Sequence, residues 1–281
     1  MPQAQPRYLE IADELRQQIE SGQRAPESKL PNEDKLQDEF RASRNTVRDA
    51  IKRLTELGLL EAKGREGTFV RKAIIPFVTT LSISPETGRS GGGEEGATYP
   101  ADVREQGREA GATIPEVKVL PCPESIAARL KINPGERVVS RHQERYIDGT
   151  GEADENGKID GTLWSLQTSY YPFEWVRRGA ERLLDPKDIL EGAVEYLAEA
   201  IGLRQVSYRD LISARLTNKA EQELFSLTHN HTVIEVYRTS FADDKAATPI
   251  RVTITVLPAD RNQVVYDIGN VPKHQEQPVR A

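Results

Sequence analysis

The sequence predicts an α+β chain in two parts: a small unit of three helices and a hairpin, then a larger α+β unit built on a mainly antiparallel sheet. Three observations carry that expectation. Before residue 58 apolar residues recur three times at helical spacing, and two short apolar runs separated by glycines follow. The stretch SPETGRSGGGEEGATYP then breaks every periodicity, as a linker or long loop does. Beyond it, runs that alternate in twos dominate. A chain of 281 residues is also longer than one hydrophobic core usually serves.

Tyr8, Ile11, Ala12, Leu15 and Ile19 share one face of a first helix from about Arg7 to Ser21, and Gly22 ends it. In LPNEDKLQDEF, Asn32 is a capping residue, and the acids Glu33 and Asp34 suit the N-terminus of a short second helix reaching Phe40. Ser43 caps a third helix whose buried stripe reads Val47, Ile51, Leu54 and Leu57. On a wheel of 100° per residue, Asn45, Arg48 and Lys52 fall opposite that stripe, with Arg44 in the exposed first turn. LLEAK and TFVRK, joined by GREG, read as a hairpin with Gly64 and Gly67 in its turn. Three helices and this hairpin make a winged helix-turn-helix.

In the second part Pro123 to Leu130 reads as helix, Arg137 to Ile147 as strand and LWSLQTSYY as strand. Lys187 to Ile201 has the pattern of an amphipathic helix, and Val206–Leu216, Thr232–Phe241 and Ile250–Leu257 that of strands. DGTGEADENGKIDG is too polar to pack. A faint internal echo relates Leu130–Asp148 to Leu227–Asp243: helix end, loop, alternating strand, acidic turn. The expected division is residues 1–72 for the winged unit, 73–113 for a linker, 114–270 for the second domain and 271–281 for a tail.

Charge is unevenly placed. The chain carries a net −6, yet residues 41–72 hold nine Lys and Arg against four Asp and Glu, whereas the chain beyond residue 72 holds 24 against 31. That asymmetry argues for a small anion-binding head on a body with another task. No apolar run approaches the roughly 20 residues of a membrane helix. MPQAQP lacks the basic and apolar segments of a secretory signal, so a cytoplasmic location and no membrane partner are expected. Cys122 is the single cysteine and lies between prolines, without a histidine nearby to activate it. His229 and His231 make half a metal site without a third ligand, so neither a metal nor a cofactor is expected.

The helix-turn-helix, capping serine, cationic third helix and glycine wing together suit double-stranded DNA: Arg reads guanine edges and phosphates, Asn and Thr read adenine or hold the backbone. The bland alternative is a helix kept soluble by its charges. KLPNEDKLQDEF followed by SRNTVRDAIKRLTELGLLEAKGREGTFV resembles the DNA-binding domain of the GntR family of bacterial transcriptional regulators. IAARLKINPGERVVSRHQERYIDG, SLQTSYYP and VIEVYRTSFADD resemble the effector-binding UTRA domain of that family's HutC branch, which is similar in fold to chorismate lyase. The resemblance implies operator contacts from Ser43, Arg44, Asn45, Thr46, Arg48 and Lys52, with Arg65 and Gly67 at the wing. Lys35 is a further candidate, because Asp34 stands where the family often has a basic residue. The wing turn here also holds one residue more than the usual Gly-x-Gly.

In the second domain the same resemblance implies an effector site from Arg141, Arg145, Gln167, Ser169, Tyr170 and Phe241. A strand arginine beside serine and tyrosine hydroxyls suits a carboxylate or phosphate; an ordinary cross-strand ion pair is the alternative. Gln143, Phe241 and Arg251 depart from the family's usual Arg, Tyr and acid, which argues against simply transferring a sugar-phosphate ligand. The resulting expectation is a homodimeric repressor on a pseudo-palindromic operator, modulated by a small-molecule effector for which an anion is one candidate. A repressor without an effector is the second reading. An enzyme is disfavoured, because no paired acid and base and no phosphate-cradling loop can be placed.

Overall fold

The first helix, α1 (Arg7–Glu20), packs Ile11, Ala12 and Leu15 against α2 (Glu33–Phe40) and α3 (Arg44–Glu56). This computed structural model describes residues 5–71, 76–80, 98–149, 160–227 and 231–266, and the chain divides into two units, Met1–Ile74 and Ile75–Ala281. Asn32 and Ser43 cap their helices as the sequence indicates: the Asn32 side chain accepts from the Lys35 N–H, and the Ser43 hydroxyl from the Thr46 N–H. Arg41, at φ 47°, makes the tight turn between the two helices. The wing pairs β1 (Leu60–Ala62) antiparallel with β2 (Thr68–Val70) across a 3-10 turn at Gly64–Glu66, and Lys29 bridges to Phe69 on the far side.

Leu57 departs from the expected buried stripe. It is the C-terminal capping residue of α3 and is exposed, while Ala50 fills the core position instead, because a stripe at i, i+3 and i+7 from Val47 reaches Ala50 and Leu54.

The second unit is α+β around a seven-stranded antiparallel sheet. It contains β4 (Ala110–Ala112), β5 (Glu116–Pro121), β6 (Arg137–Ile147), β7 (Thr162–Pro172), β8 (Gln205–Leu216), β9 (Thr232–Ala242) and β10 (Pro249–Pro258). The order is β4-β6-β7-β10-β9-β8, with β5 also on β6. The short strands β3 (Phe77–Thr80) and β11 (Asn262–Val265) pair in parallel. Helices are α4 (Thr98–Glu105), α5 (Glu124–Leu130), α6 (Phe173–Arg177), α7 (Ala193–Ile201) and α8 (Lys219–Leu224).

Two expectations are corrected. The stretch read as linker contains β3, α4 and β4, whose short polar sequences hide a role as sheet edge and end-cap: Phe77 and Val103 are fully buried against Ile147, Trp164 and Leu257. Residues 81–97 and 150–159, the two glycine-rich polar loops, lie outside the described residues, as does the tail. The helix expected from Lys187 begins only at Ala193. The Arg141 guanidinium takes the carbonyls of Leu183, Asp185 and Lys187 at 3.0, 2.8 and 2.6 Å, so that stretch cannot turn those oxygens along a helix axis.

Leu54 is completely buried at the centre of the first unit. Leu54→Ala should destabilise that unit by about 2–5 kcal/mol, read as a lower urea midpoint, with the second unit's transition unchanged.

Candidate functional sites

The outer face of α3 is built around one carboxylate. Glu33, in the first turn of α2, holds the Arg44 Nε at 2.7 Å and the Arg48 Nε at 3.2 Å, although both arginines are well exposed. The hydrogen bond to Glu33 raises the Arg44 pKa further above its ordinary value. Asn45 and Lys52 share the exposed surface, and the Ser43 and Thr46 hydroxyls bond each other at 2.8 Å. Lys35 is exposed on α2, and Asp34 accepts from Gln37 at 3.2 Å.

At the wing, Arg65 is exposed and Gly67 adopts φ 113°, ψ −161°, open in practice only to glycine. An added Cβ there would stand 2.9 Å from the Lys29 Cε. Lys29 therefore lies against the wing tip beside Lys63 and Arg65, a cation that sequence reasoning overlooked because it precedes the helix-turn-helix by several residues.

The second site is a polar belt buried on one face of the seven-stranded sheet. Register aligns Arg141 (β6), Ser169 (β7), Thr253 (β10), Arg238 (β9) and Asp210 (β8) in one row across five strands. Gln143, Gln167 and Thr255 form the next row, and Arg145 faces Ser165 beyond it. Ordinary alternation from Thr253 puts Arg251 on the same face opposite Ser240, just after a bulge between Pro249 and Arg251. The belt lies between two apolar clusters, one of Tyr171, Trp175, Leu183 and Leu197, the other of Phe77, Trp164, Val236 and Leu257.

Within the belt Arg145 donates to the Gln167 side-chain oxygen Oε1, Ser169 bonds Thr253 at 3.1 Å, and Arg238 grips Asp210 through two bonds of 2.8 and 2.7 Å. Among the described residues the hydroxyls of Ser165 and Ser240, both 0% exposed, have no hydrogen-bond partner. Buried hydroxyls are seldom left so.

Four of the six expected effector residues, Arg141, Arg145, Gln167 and Ser169, meet here, but Arg141 is committed to backbone carbonyls. Tyr170 and Phe241 are corrections. Strand alternation sends both to the opposite face, where Tyr170 packs beside Val138 and Val252, and burial raises its phenol pKa. His142 is on that face too, bonded to Thr168 at 2.8 Å, with its pKa lowered by burial. In the sequence Arg251 stands out only as a departure from the family's acid, and Ser165, Ser240, Thr253 and Thr255 are not singled out. Their signal was a polar stripe at every second position of strands whose alternate positions are apolar.

Among the described residues no His, Cys, Asp and Glu group could hold a metal, and no helix is long and apolar enough to cross a membrane. His229 lies outside the described residues.

Comparison with known proteins bears directly on the first unit: residues 7–70 match the model for bacterial regulatory proteins of the gntR family. The N-terminal unit is a gntR-family domain. Over 72 residues it is 42% identical to the mannosyl-D-glycerate transport/metabolism system repressor MngR of Escherichia coli; the match covers 26% of this chain and 30% of that repressor. An uncharacterised HTH-type transcriptional regulator of Rhizobium meliloti is 29% identical over 258 residues, 90% of this chain and 91% of its own. A crystal structure assigned to the GntR family of transcriptional regulators superposes with a TM-score of 0.60 at 26% identity, covering 95% of this chain and 99% of that one. The named relatives that this chain resembles are regulators rather than enzymes.

Gly67→Ala should cost the first unit about 1–3 kcal/mol, seen as a lower melting midpoint, because its backbone angles oppose a side chain, whereas the flexible end of Lys29 can move aside.

Proposed function

We propose that the chain is a DNA-binding transcriptional repressor that acts in the cytoplasm as a homodimer and is modulated by a small anionic effector. Residues 1–72 are its operator-reading part, and the effector-binding and dimerising part is the HutC-type UTRA domain over 114–270, extended by β3, α4 and β4. The observation that carries the reading is the pairing of Arg44 and Arg48 on Glu33. Two arginines on the outer face of a helix-turn-helix's third helix are held by a carboxylate of the neighbouring helix, and Lys63 and Arg65 on the wing, with Lys29 against its tip, add further cations to the unit. MngR, by its name, is a repressor, which favours repression here.

Support for the effector is the belt, where Arg145 and Arg251 lie among Ser165, Ser240 and Thr255. Arginine and hydroxyl donors suit a carboxylate or phosphate. The dimer is supported by β8, an edge strand with exposed Val206, Leu211, Ile212 and Leu216. An apolar edge of this length invites a second copy, and two heads match a two-fold operator.

The deciding experiment selects bound fragments from genomic DNA and titrates the enriched site against scrambled DNA. A short inverted repeat preferred by about a thousandfold or more is expected. Arg48→Ala should weaken that preference by about ten- to a hundredfold without lowering the melting temperature. Equal affinity in this variant, or weak binding without a motif, would sink the reading. Ile212→Lys should give a monomer in light scattering that retains only half-site binding, whereas an unchanged dimer would remove β8 from the interface.

A further inference from the structure

A groove of about 540 Å³ opens on the surface of the second unit, lined by residues that belong neither to the belt nor to the edge strand. Its floor is apolar, formed by Leu130 and Ile132 at the end of α5, Pro172 and Phe173 where β7 enters α6, and Pro249 at the start of β10. Trp175 is fixed as one wall, because its indole N–H donates to the Ile250 carbonyl at 2.8 Å. Its size suits a small organic molecule.

The rim supplies the charge. The Arg137 guanidinium lies 4.8 Å from the centre of the Phe173 ring, so it is held by cation–π attraction. That contact uses none of its N–H donors, and among the described residues its side chain has no hydrogen bond or ion pair. Lys131 is likewise unpaired among the described residues; it is exposed and held at φ 55° by its place just past α5. The other charges on the rim are already engaged: Glu174 meets Arg177 at 3.5 Å, and Glu136 accepts from the Asn133 backbone and side chain at 3.0 and 2.6 Å.

We infer that this groove is a second ligand site, distinct from the belt, for an organic carboxylate with a flat apolar body. The body lies over Leu130, Ile132 and Pro249, and the carboxylate takes the in-plane donors of Arg137, which Phe173 holds, with Lys131 beside it. A bidentate carboxylate matches a guanidinium already fixed on a ring, since little side-chain freedom remains to be lost on binding. The ligand lies outside the sheet face that holds the belt, so it does not compete with an effector there.

The test uses the full chain without DNA, and its outcome does not depend on operator binding. Titration calorimetry with 2-naphthoate should show one-site binding, and the uncharged 2-naphthamide should bind about tenfold more weakly or worse, as loss of a charge-assisted bond requires. Arg137→Gln should reduce naphthoate affinity to that of the amide, and Lys131→Gln by a smaller factor. Both side chains are exposed, so neither variant threatens the fold. Ser165→Ala, in the belt, should leave naphthoate binding unchanged. No binding at millimolar naphthoate, equal binding of acid and amide, or affinity that survives Arg137→Gln would each overturn the proposal.

Discussion

The second unit is organised by the burial of Arg141. A guanidinium cannot leave water without acceptors, and burying it unpaired would cost several kcal/mol. Three backbone carbonyls from one short segment supply those acceptors, and the chain from Leu183 to Lys187 is shaped to present them. That segment carries Leu183 and Ile189 onto the sheet and hands the chain to α7, which closes one end of the face with Tyr196 and Leu197. The apolar closure at one end of the belt therefore depends on a polar anchor.

A sheet face with apolar clusters at both ends and polar groups between them is costly to build, because every hydroxyl and amide in the middle must find a partner. Most do: Ser169 with Thr253, Gln167 with Arg145 and Thr255, and Arg238 with Asp210. Buried Ser165 and Ser240 stand out against that background. An alanine at either position would remove an unsatisfied hydroxyl and should be tolerated by stability alone, so the serines are better explained by something they bond than by packing.

The first unit was legible because its devices are local. Capping by Asn32 and Ser43, the stripe of α3 and the glycines of the wing each occupy a few neighbouring residues and act over one turn. The belt was not legible as a whole, since its members come from strands more than a hundred residues apart, and a polar stripe in a strand ordinarily means a face in water. Tyr170 was assigned to the wrong face because a family motif names residues without fixing the strand phase, and phase decides burial. The faint echo between the two helix-strand segments does correspond to something physical: α5 and α8 each precede a long strand, and the apolar clusters beside them share Ile254 on the face opposite the belt.

Charge allocation in the two units acts in one sense. Glu33 neutralises part of Arg44 and Arg48 while the protein is free, so the third helix is less attractive to arbitrary phosphates than its sequence suggests. Pairing at such exposed positions is weak and readily exchanged. A phosphate or guanine edge in the right place can therefore recruit the arginines one at a time, while a misplaced one must break the pair for nothing in return. The acidic balance beyond residue 72 acts in the same sense, since a body with 31 acids against 24 basic groups gains nothing from lying along a polyanion. On the proposed DNA-binding reading, both features would lower the sequence-independent part of binding and leave correctly placed contacts of α3 and the wing to decide where the protein stays.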